Sequence, residues 1–151
     1  MQTVCLPREN DGDLVTAGTN GFVAGWGATS ASTPEDAVKI TVDEYSKVLR
    51  HDAFEIRSDS LCEDAARLPP LKYNSTMTFC AGDGKGKSDA CKGDSGGAFV
   101  RHVRTRDVKR WVAIGVVSWG RGCAQKDEYG YYTRVYPFIG WIKKTISGYC
   151  V

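Results

Sequence analysis

Short apolar runs alternate with glycine-rich and polar breaks along this chain, the pattern of strands joined by turns. Phe22-Val-Ala-Gly-Trp-Gly27 is one such run, bounded by Gly. Val38, Ile40 and Val42 alternate with Lys39, Thr41 and Asp43, the period of two of a half-buried strand. Between them, Ala28 to Asp36 is rich in Ser, Thr, Ala and Pro and reads as an exposed loop. Thr76 to Cys80, Gly97 to Val100 and Tyr131 to Val135 are further strands. Trp111 to Trp119 is the strongest, being β-branched, aromatic and nearly free of polar groups. Two helices are predicted. Ser60-Leu-Cys-Glu63 has capping-box spacing, so a short helix runs towards Arg67 and stops before Pro69-Pro70. At the C-terminal end Phe138, Ile142 and Ile146 recur at helical spacing, with Trp141 alongside, Pro137 in the first turn and Gly148 at the stop. Lys143 and Lys144 suit the negative end of that helix's dipole. The pattern predicts an all-β antiparallel barrel carrying a short intermediate helix and a C-terminal helix.

With 151 residues, the chain is sized for one domain. Its 20 basic and 18 acidic residues give a net charge of +2, which argues against a nucleic-acid partner. Charged residues at 25% and apolar ones at 42% are ordinary globular values, which disfavours disorder. No apolar run approaches the ~18 residues of a membrane span, so no membrane partner is predicted. The six cysteines are Cys5, Cys62, Cys80, Cys91, Cys123 and Cys150, with no close pair, and the two histidines are His51 and His102, so no metal site is expected. An even cysteine count at wide spacing reads as disulfides made in an oxidising compartment. Met1 to Leu6 shows no signal-peptide pattern. The chain is therefore expected to be the end piece of a longer secreted precursor. Asn74-Ser75-Thr76, a glycosylation sequon, fits secretion.

The stretch that carries chemistry is Asp89-Ala-Cys-Lys-Gly-Asp-Ser-Gly-Gly97. Gly93-Asp-Ser-Gly-Gly97 arises by chance in roughly one chain of this length in several thousand, given ordinary residue usage. With Gly25-Trp-Gly27, Ser118-Trp-Gly120 and Gly130-Tyr-Tyr-Thr133, it resembles the second half of a trypsin-like serine protease. The likeness runs from Val4-Cys-Leu-Pro7 to the terminal helix. Ala98, Gly97-Ala-Phe-Val100, the charged loop from Arg101 to Lys109, Arg110-Trp-Val-Ala113 and Trp141-Ile-Lys-Lys144 are most similar to complement-initiating and mannan-binding-lectin-associated modular proteases. Arthropod clotting proteases follow.

The resemblance implies roles for residues of this chain. Ser95 is the nucleophile, inert until a base takes its proton. The N–H groups of Gly93 and Ser95 form an oxyanion hole, worth about 3–4 kcal/mol per donor. Asp94 binds the ammonium freed when a zymogen is cleaved. Asp89 forms the floor of the primary pocket, with Gly120 and Gly130 on its walls, which selects Arg or Lys; the bland alternative is an exposed turn Asp. Ser118, Trp119 and Gly120 lay extended backbone beside the substrate, or simply end a core strand. Cys62–Cys80 and Cys91–Cys123 are the implied disulfides, whereas six cysteines alone allow 15 pairings. Cys5 matches the link to a regulatory chain; bonding outside this chain, a bond to Cys150 and a free thiol all remain open. No cofactor is implied beyond a sodium ion near Tyr129, where the alternative is a Tyr packed under its loop.

The family's catalytic His and Asp contexts do not occur here. His51 and His102 read as surface-loop residues, and Asp52 resembles a dyad partner only in linear sequence. Residues 1–151 are thus expected to be the C-terminal part of a peptidase domain, half of a two-barrel fold, with the rest of the triad in an absent N-terminal half. The expected function is a secreted Arg/Lys-directed endopeptidase of a complement or clotting cascade, inactive as this chain alone and acting on protein substrates. A non-catalytic protease-like binding module is the alternative; the presence of Gly93, Ser95 and Asp89 favours the enzyme.

Overall fold

The computed structural model describes residues 3–11, 13–30, 33, 35, 44–67, 72–104 and 109–146. The predicted strand at Val38–Val42, the Pro69-Pro70 stop, Gly148 and Cys150 lie outside the described residues. The strands are β1 (Asn20–Gly25), β2 (Arg50–Glu55), β3 (Thr78–Ala81), β4 (Ala98–Arg104), β5 (Lys109–Trp119) and β6 (Gly130–Arg134). Helix α1 (Asp59–Ala65) lies between β2 and β3, and α2 (Ile139–Ile146) follows β6 after a 3-10 turn, Tyr136–Phe138.

The sheet has the order β2-β1-β4-β5-β6-β3, every pair antiparallel. Its two edges meet. Ile56, just past β2, bridges Ala81 in β3, and Arg57 N–H donates to Cys80 O at 3.0 Å while Gly82 N–H donates to Glu55 O at 3.0 Å. The curled sheet is the antiparallel barrel the strand pattern predicts. The N-terminal segment lies along the part of β5 that β6 leaves free: Cys5 N–H donates to Trp111 O at 3.0 Å and Cys5 O accepts from Ala113 N–H at 2.9 Å.

Inward-facing Val23, Phe54, Ile56, Phe79, Phe99, Val112, Ile114 and Tyr132 fill the barrel. Phe79, Phe99 and Tyr132 make a mutual aromatic cluster with centroids 4.6 to 5.3 Å apart. Gly115 is required there, since a Cβ would lie 2.6 Å from the Phe79 ring. A second cluster forms under α1, where Cys62, Ala66, Cys80 and Tyr131 are buried. The Cys62–Cys80 disulfide pins α1 to β3, and the Tyr131 hydroxyl donates to Cys62 O at 2.8 Å. Arg134 is the single buried charge among the described residues. It spans Asp13 (2.6 Å), Asp59 (3.2 Å) and Thr78 O (2.9 Å), tying the N-terminal segment, α1 and β3 together.

Three local expectations change. β2 was not predicted, because Arg50-His-Asp-Ala-Phe-Glu55 buries only Phe54; pairing with β1 makes it a strand. His51 therefore sits on β2, and His102 on β4, rather than on loops. Helix α1 begins before Ser60: Ser58 is the N-cap, its Oγ accepting from Leu61 N–H at 3.3 Å.

Candidate active site

Residues 91–97 form a tight loop feeding β4. Gly93 (φ 99°) and Gly96 (φ 83°) occupy conformations that glycine alone adopts readily. Gly93 also has no room for a Cβ, which would lie 2.5 Å from the Tyr45 ring and 3.2 Å from Gly27 Cα. Asp94 N–H donates to Cys91 O (2.9 Å), Gly96 N–H to Val117 O (3.0 Å) and Gly97 N–H to Asp94 O (2.9 Å). Among the described residues the N–H groups of Gly93 and Ser95 make no such bond.

The Asp94 side chain turns inward. Its Oδ1 accepts from Gly27 N–H at 2.9 Å and its Oδ2 from Cys91 N–H at 3.1 Å. A Cβ on either Gly25 or Gly27 would collide with this carboxylate, which explains the glycines of Gly25-Trp-Gly27.

Ser95 is exposed and lines a pocket of about 430 Å³ together with Trp119, Gly120, Gly130 and Tyr132. The Cys91–Cys123 disulfide, with Cα atoms 5.4 Å apart, crosses its wall. Ser118, next to last in β5, is exposed, and Trp119 stacks flat on Tyr131 at 3.6 Å. A smaller cavity of about 260 Å³ shares Ala90, Cys91 and Cys123 with this pocket and is also lined by His51, Asp52, Asp89, Asp94 and Ala124.

Asp89 lines the smaller cavity rather than the larger; its Oδ1 is 2.9 Å from where a Cβ on Gly130, a residue of the larger pocket's lining, would sit. Its Oδ2 accepts from Ala124 N–H at 3.2 Å. Burial pushes the Asp89 carboxyl up to about 6, with Asp83 and Asp94 adding repulsion and the N–H groups of Ala124 and Ala90 opposing it. Tyr132 was missed from the sequence. Its hydroxyl is buried without a hydrogen-bond partner among the described residues and is also 2.9 Å from the Gly130 Cβ position. The available signal was strand alternation, which turns Tyr132 to the barrel side opposite Tyr131.

His51 is exposed and lines the smaller cavity, while His102 rests against Trp111 at 5.0 Å; neither lines the Ser95 pocket. Asp52 accepts from Ala53 N–H at 2.7 Å. Tyr129 packs under its loop, with its hydroxyl 2.6 Å from the Gly84 Cβ position and the Arg57 guanidinium 5.9 Å from its ring. Asn74 is exposed, its Oδ1 accepting from Thr76 N–H (3.0 Å) and Thr76 Oγ1 (2.7 Å). Cys5 is exposed and makes no disulfide among the described residues.

Known proteins resemble the chain over nearly all its length. A family model described as Trypsin matches residues 1–142. Clotting factor C of Tachypleus tridentatus is 35% identical over 150 residues, 97% of this chain and 14% of that protein. Mannan-binding lectin serine protease 1 of Mus musculus is 37% identical over 146 residues, 95% of the chain and 18% of the relative. Complement C1r-A subcomponent of Mus musculus is 35% identical over 146 residues with the same two shares. The chain thus spans less than a fifth of the length of these relatives. The Ser95 loop, its pocket and this similarity agree, and the chain belongs to the trypsin family of serine proteases.

Proposed function

We propose that this chain is the C-terminal portion of a secreted endopeptidase that cleaves after Arg or Lys in a clotting- or complement-type cascade. The observation that supports this reading is an exposed Ser95 at a pocket lined by Gly120 and Gly130, with the half-buried Asp89 carboxylate close against Gly130.

Ser95 Oγ attacks the scissile carbonyl as its proton passes to a base. His51 and His102 both lie outside the Ser95 pocket, so the base and its orienting carboxylate are assigned to an N-terminal half that docks here. The developing oxyanion is stabilised by the uncommitted N–H groups of Gly93 and Ser95. Substrate backbone lies along Ser118, Trp119 and Gly120. Gly120 and Gly130 leave room for a long side chain, whose cationic end approaches the Asp89 carboxylate and the unpaired Tyr132 hydroxyl. An unpaired charge in such a place is costly, so neutral residues are rejected.

Asp94 responds to zymogen cleavage: the smaller cavity beside it takes the freed N-terminus, whose ammonium displaces the backbone N–H groups now held. Cys5 bonds a regulatory chain and Asn74 carries a glycan. Packing of Tyr129 under its loop supports a structural role, and a sodium ion held by nearby carbonyls remains the second assignment for that loop.

The test uses the full-length precursor, activated, with peptides differing only at the residue before the scissile bond. Arg and Lys peptides are expected to be cleaved at least about 100-fold faster than Phe peptides, the rate equivalent of about 3 kcal/mol of charge pairing. Asp89→Ser should abolish that preference and Ser95→Ala all turnover. Equal cleavage after Phe would remove the role of Asp89. An inactive precursor that still binds its protein partner would replace the enzyme with a binding module.

A further inference from the structure

The net charge of +2 conceals an uneven distribution. Residues 101–110 hold Arg101, Arg104, Arg106, Lys109 and Arg110 against Asp107 alone, a net of +4 from 5 minus 1. The other residues hold 15 basic and 17 acidic side chains, a net of −2. The excess positive charge of this chain therefore resides in residues 101–110, the end of β4, the start of β5 and the sequence between them.

Two of these cations are committed to the fold. Arg101 donates to Leu14 O, and Arg110 pairs with Asp11. Arg104 and Lys109 are different. They are direct cross-strand partners, both exposed on the same outer face, and neither has an ion pair among the described residues. Like charges directly opposite one another destabilise a sheet. The fold gains nothing from this pair that Thr or Gln would not supply.

The next rung on that face is His102 opposite Trp111, about 7 Å along the strands at the usual rise. Their rings lie 5.0 Å apart, Phe22 meets Trp111 edge-on at 5.4 Å, and Trp111 is 46% exposed. The face thus presents an unpaired Arg/Lys rung beside an exposed aromatic rung. Both strands are internal to the sheet, and the Cys5 segment covers the free stretch of β5.

We propose that the outer face of the β4–β5 hairpin binds a linear sulfated glycan. Sulfates pair with Arg104 and Lys109, the former through its two-pronged donor geometry, and a sugar ring stacks its C–H face on Trp111. The disulfides place the chain in an oxidising compartment, where sulfated glycans rather than nucleic acids are the abundant polyanions. β4 is about 20 Å long from Ala98 to Arg104, which separates this face from the Ser95 pocket and leaves the pocket open. The glycan would localise the protein, not occupy its cleft.

The assay is binding of the protein to immobilised heparin over a salt series, with N-desulfated heparin, poly-glutamate and oligothymidylate as competitors. Arg104→Gln with Lys109→Gln should lower affinity about 30-fold at 0.15 M salt and reduce the slope of log K against log salt by about 2, the counterion-release expectation for two lost pairs. Trp111→Ala should weaken binding several-fold with the slope unchanged. Lys85→Gln with Lys126→Gln, which removes equal charge at another surface, should leave binding nearly intact. The Arg104/Lys109 variant should also melt slightly higher, since a repulsive pair is gone. Three results would overturn the proposal: equal losses from the two double variants, poly-glutamate or oligothymidylate competing as well as heparin, or a lower melting temperature accompanying lost binding.

Discussion

Asp89→Asn tests the electrostatics of the pocket without any substrate. The replacement is nearly isosteric and keeps a carbonyl oxygen for the Ala124 N–H, but removes a charge that burial penalises. In the folded protein the Asp89 carboxyl titrates at about 6. In an unfolded chain an Asp titrates near 4. The folded state therefore binds the proton more tightly, and folding loses stability as pH rises from about 4 to about 6; above that range the loss is constant. At about 1.4 kcal/mol for each pKa unit, the full penalty is about 3 kcal/mol. Exchanging a charged acceptor for a neutral one costs the variant about 1 kcal/mol in weakened N–H bonds. The variant should be about 2 kcal/mol more stable than the parent at pH 8, and no more stable at pH 4. Urea unfolding followed by tryptophan fluorescence at the two pH values, disulfides intact, measures this. The same sample tests the cation site: benzamidine should raise the parent's unfolding midpoint at pH 8 and leave the variant's unchanged. A variant no more stable at pH 8, or equally stabilised at pH 4, would show that the carboxylate is well solvated and that the pocket floor holds no stored charge.

Other perturbations follow from the same geometry. The 151-residue chain alone should not turn over an Arg ester, since a lone serine lacks its base; turnover abolished by Ser95→Ala would implicate His51 or His102. Arg134→Met should cost about 2–3 kcal/mol in urea unfolding, below the ~3–5 of a fully buried pair because Asp13 and Asp59 are 42% and 55% exposed. Gly27→Ala should expel the Asp94 carboxylate and cut benzamidine binding at least tenfold by calorimetry, while the far-ultraviolet spectrum of the barrel stays unchanged; unchanged binding would mean that Asp94 does not shape the pocket.

Legibility in the sequence followed the range over which each feature is determined. β5 was legible because Trp111 to Trp119 is apolar and β-branched within itself. β2 was not, because its residues are polar and only the β1 register makes it a strand. The α1 start was misplaced by a rival cap two residues away: Ser58 and Ser60 can both cap, and Ser58 wins by bonding the Leu61 N–H. At the site, Gly93 to Gly97 is contiguous and announced itself. The wall that carries Asp89 is assembled from residues up to 41 positions apart, Asp89 to Gly130, so its two-sided placement between cavities left no local trace. Tyr132 lacked any signal beyond strand parity, because its unpaired hydroxyl is a property of the assembled floor.

Backbone strain is distributed in the same way. Of the described residues with positive φ, Gly18 alone lies outside 82–96 and 122–127, the two segments that flank the pocket. Most are glycines, which hold such conformations without penalty, but Ala124 does so at φ 50°. That geometry costs an alanine about 1–2 kcal/mol. It also sets the Ala124 N–H 3.2 Å from Asp89 Oδ2, one of two backbone donors that oppose the burial penalty on the carboxylate. Strain in one residue thus positions a donor for a costly charge in another, as expected where function overrides local preference. Ala124→Gly separates the two. Glycine keeps the N–H and relieves the strain, while the greater freedom of the unfolded chain offsets about 0.4–1 kcal/mol. The net should be a gain of about 0.5–1 kcal/mol in unfolding free energy, with benzamidine affinity unchanged at pH 8. A destabilised variant would mean that the left-handed turn is held without strain, and unchanged stability with weakened benzamidine binding would mean that the alanine methyl, rather than its backbone donor, shapes the floor.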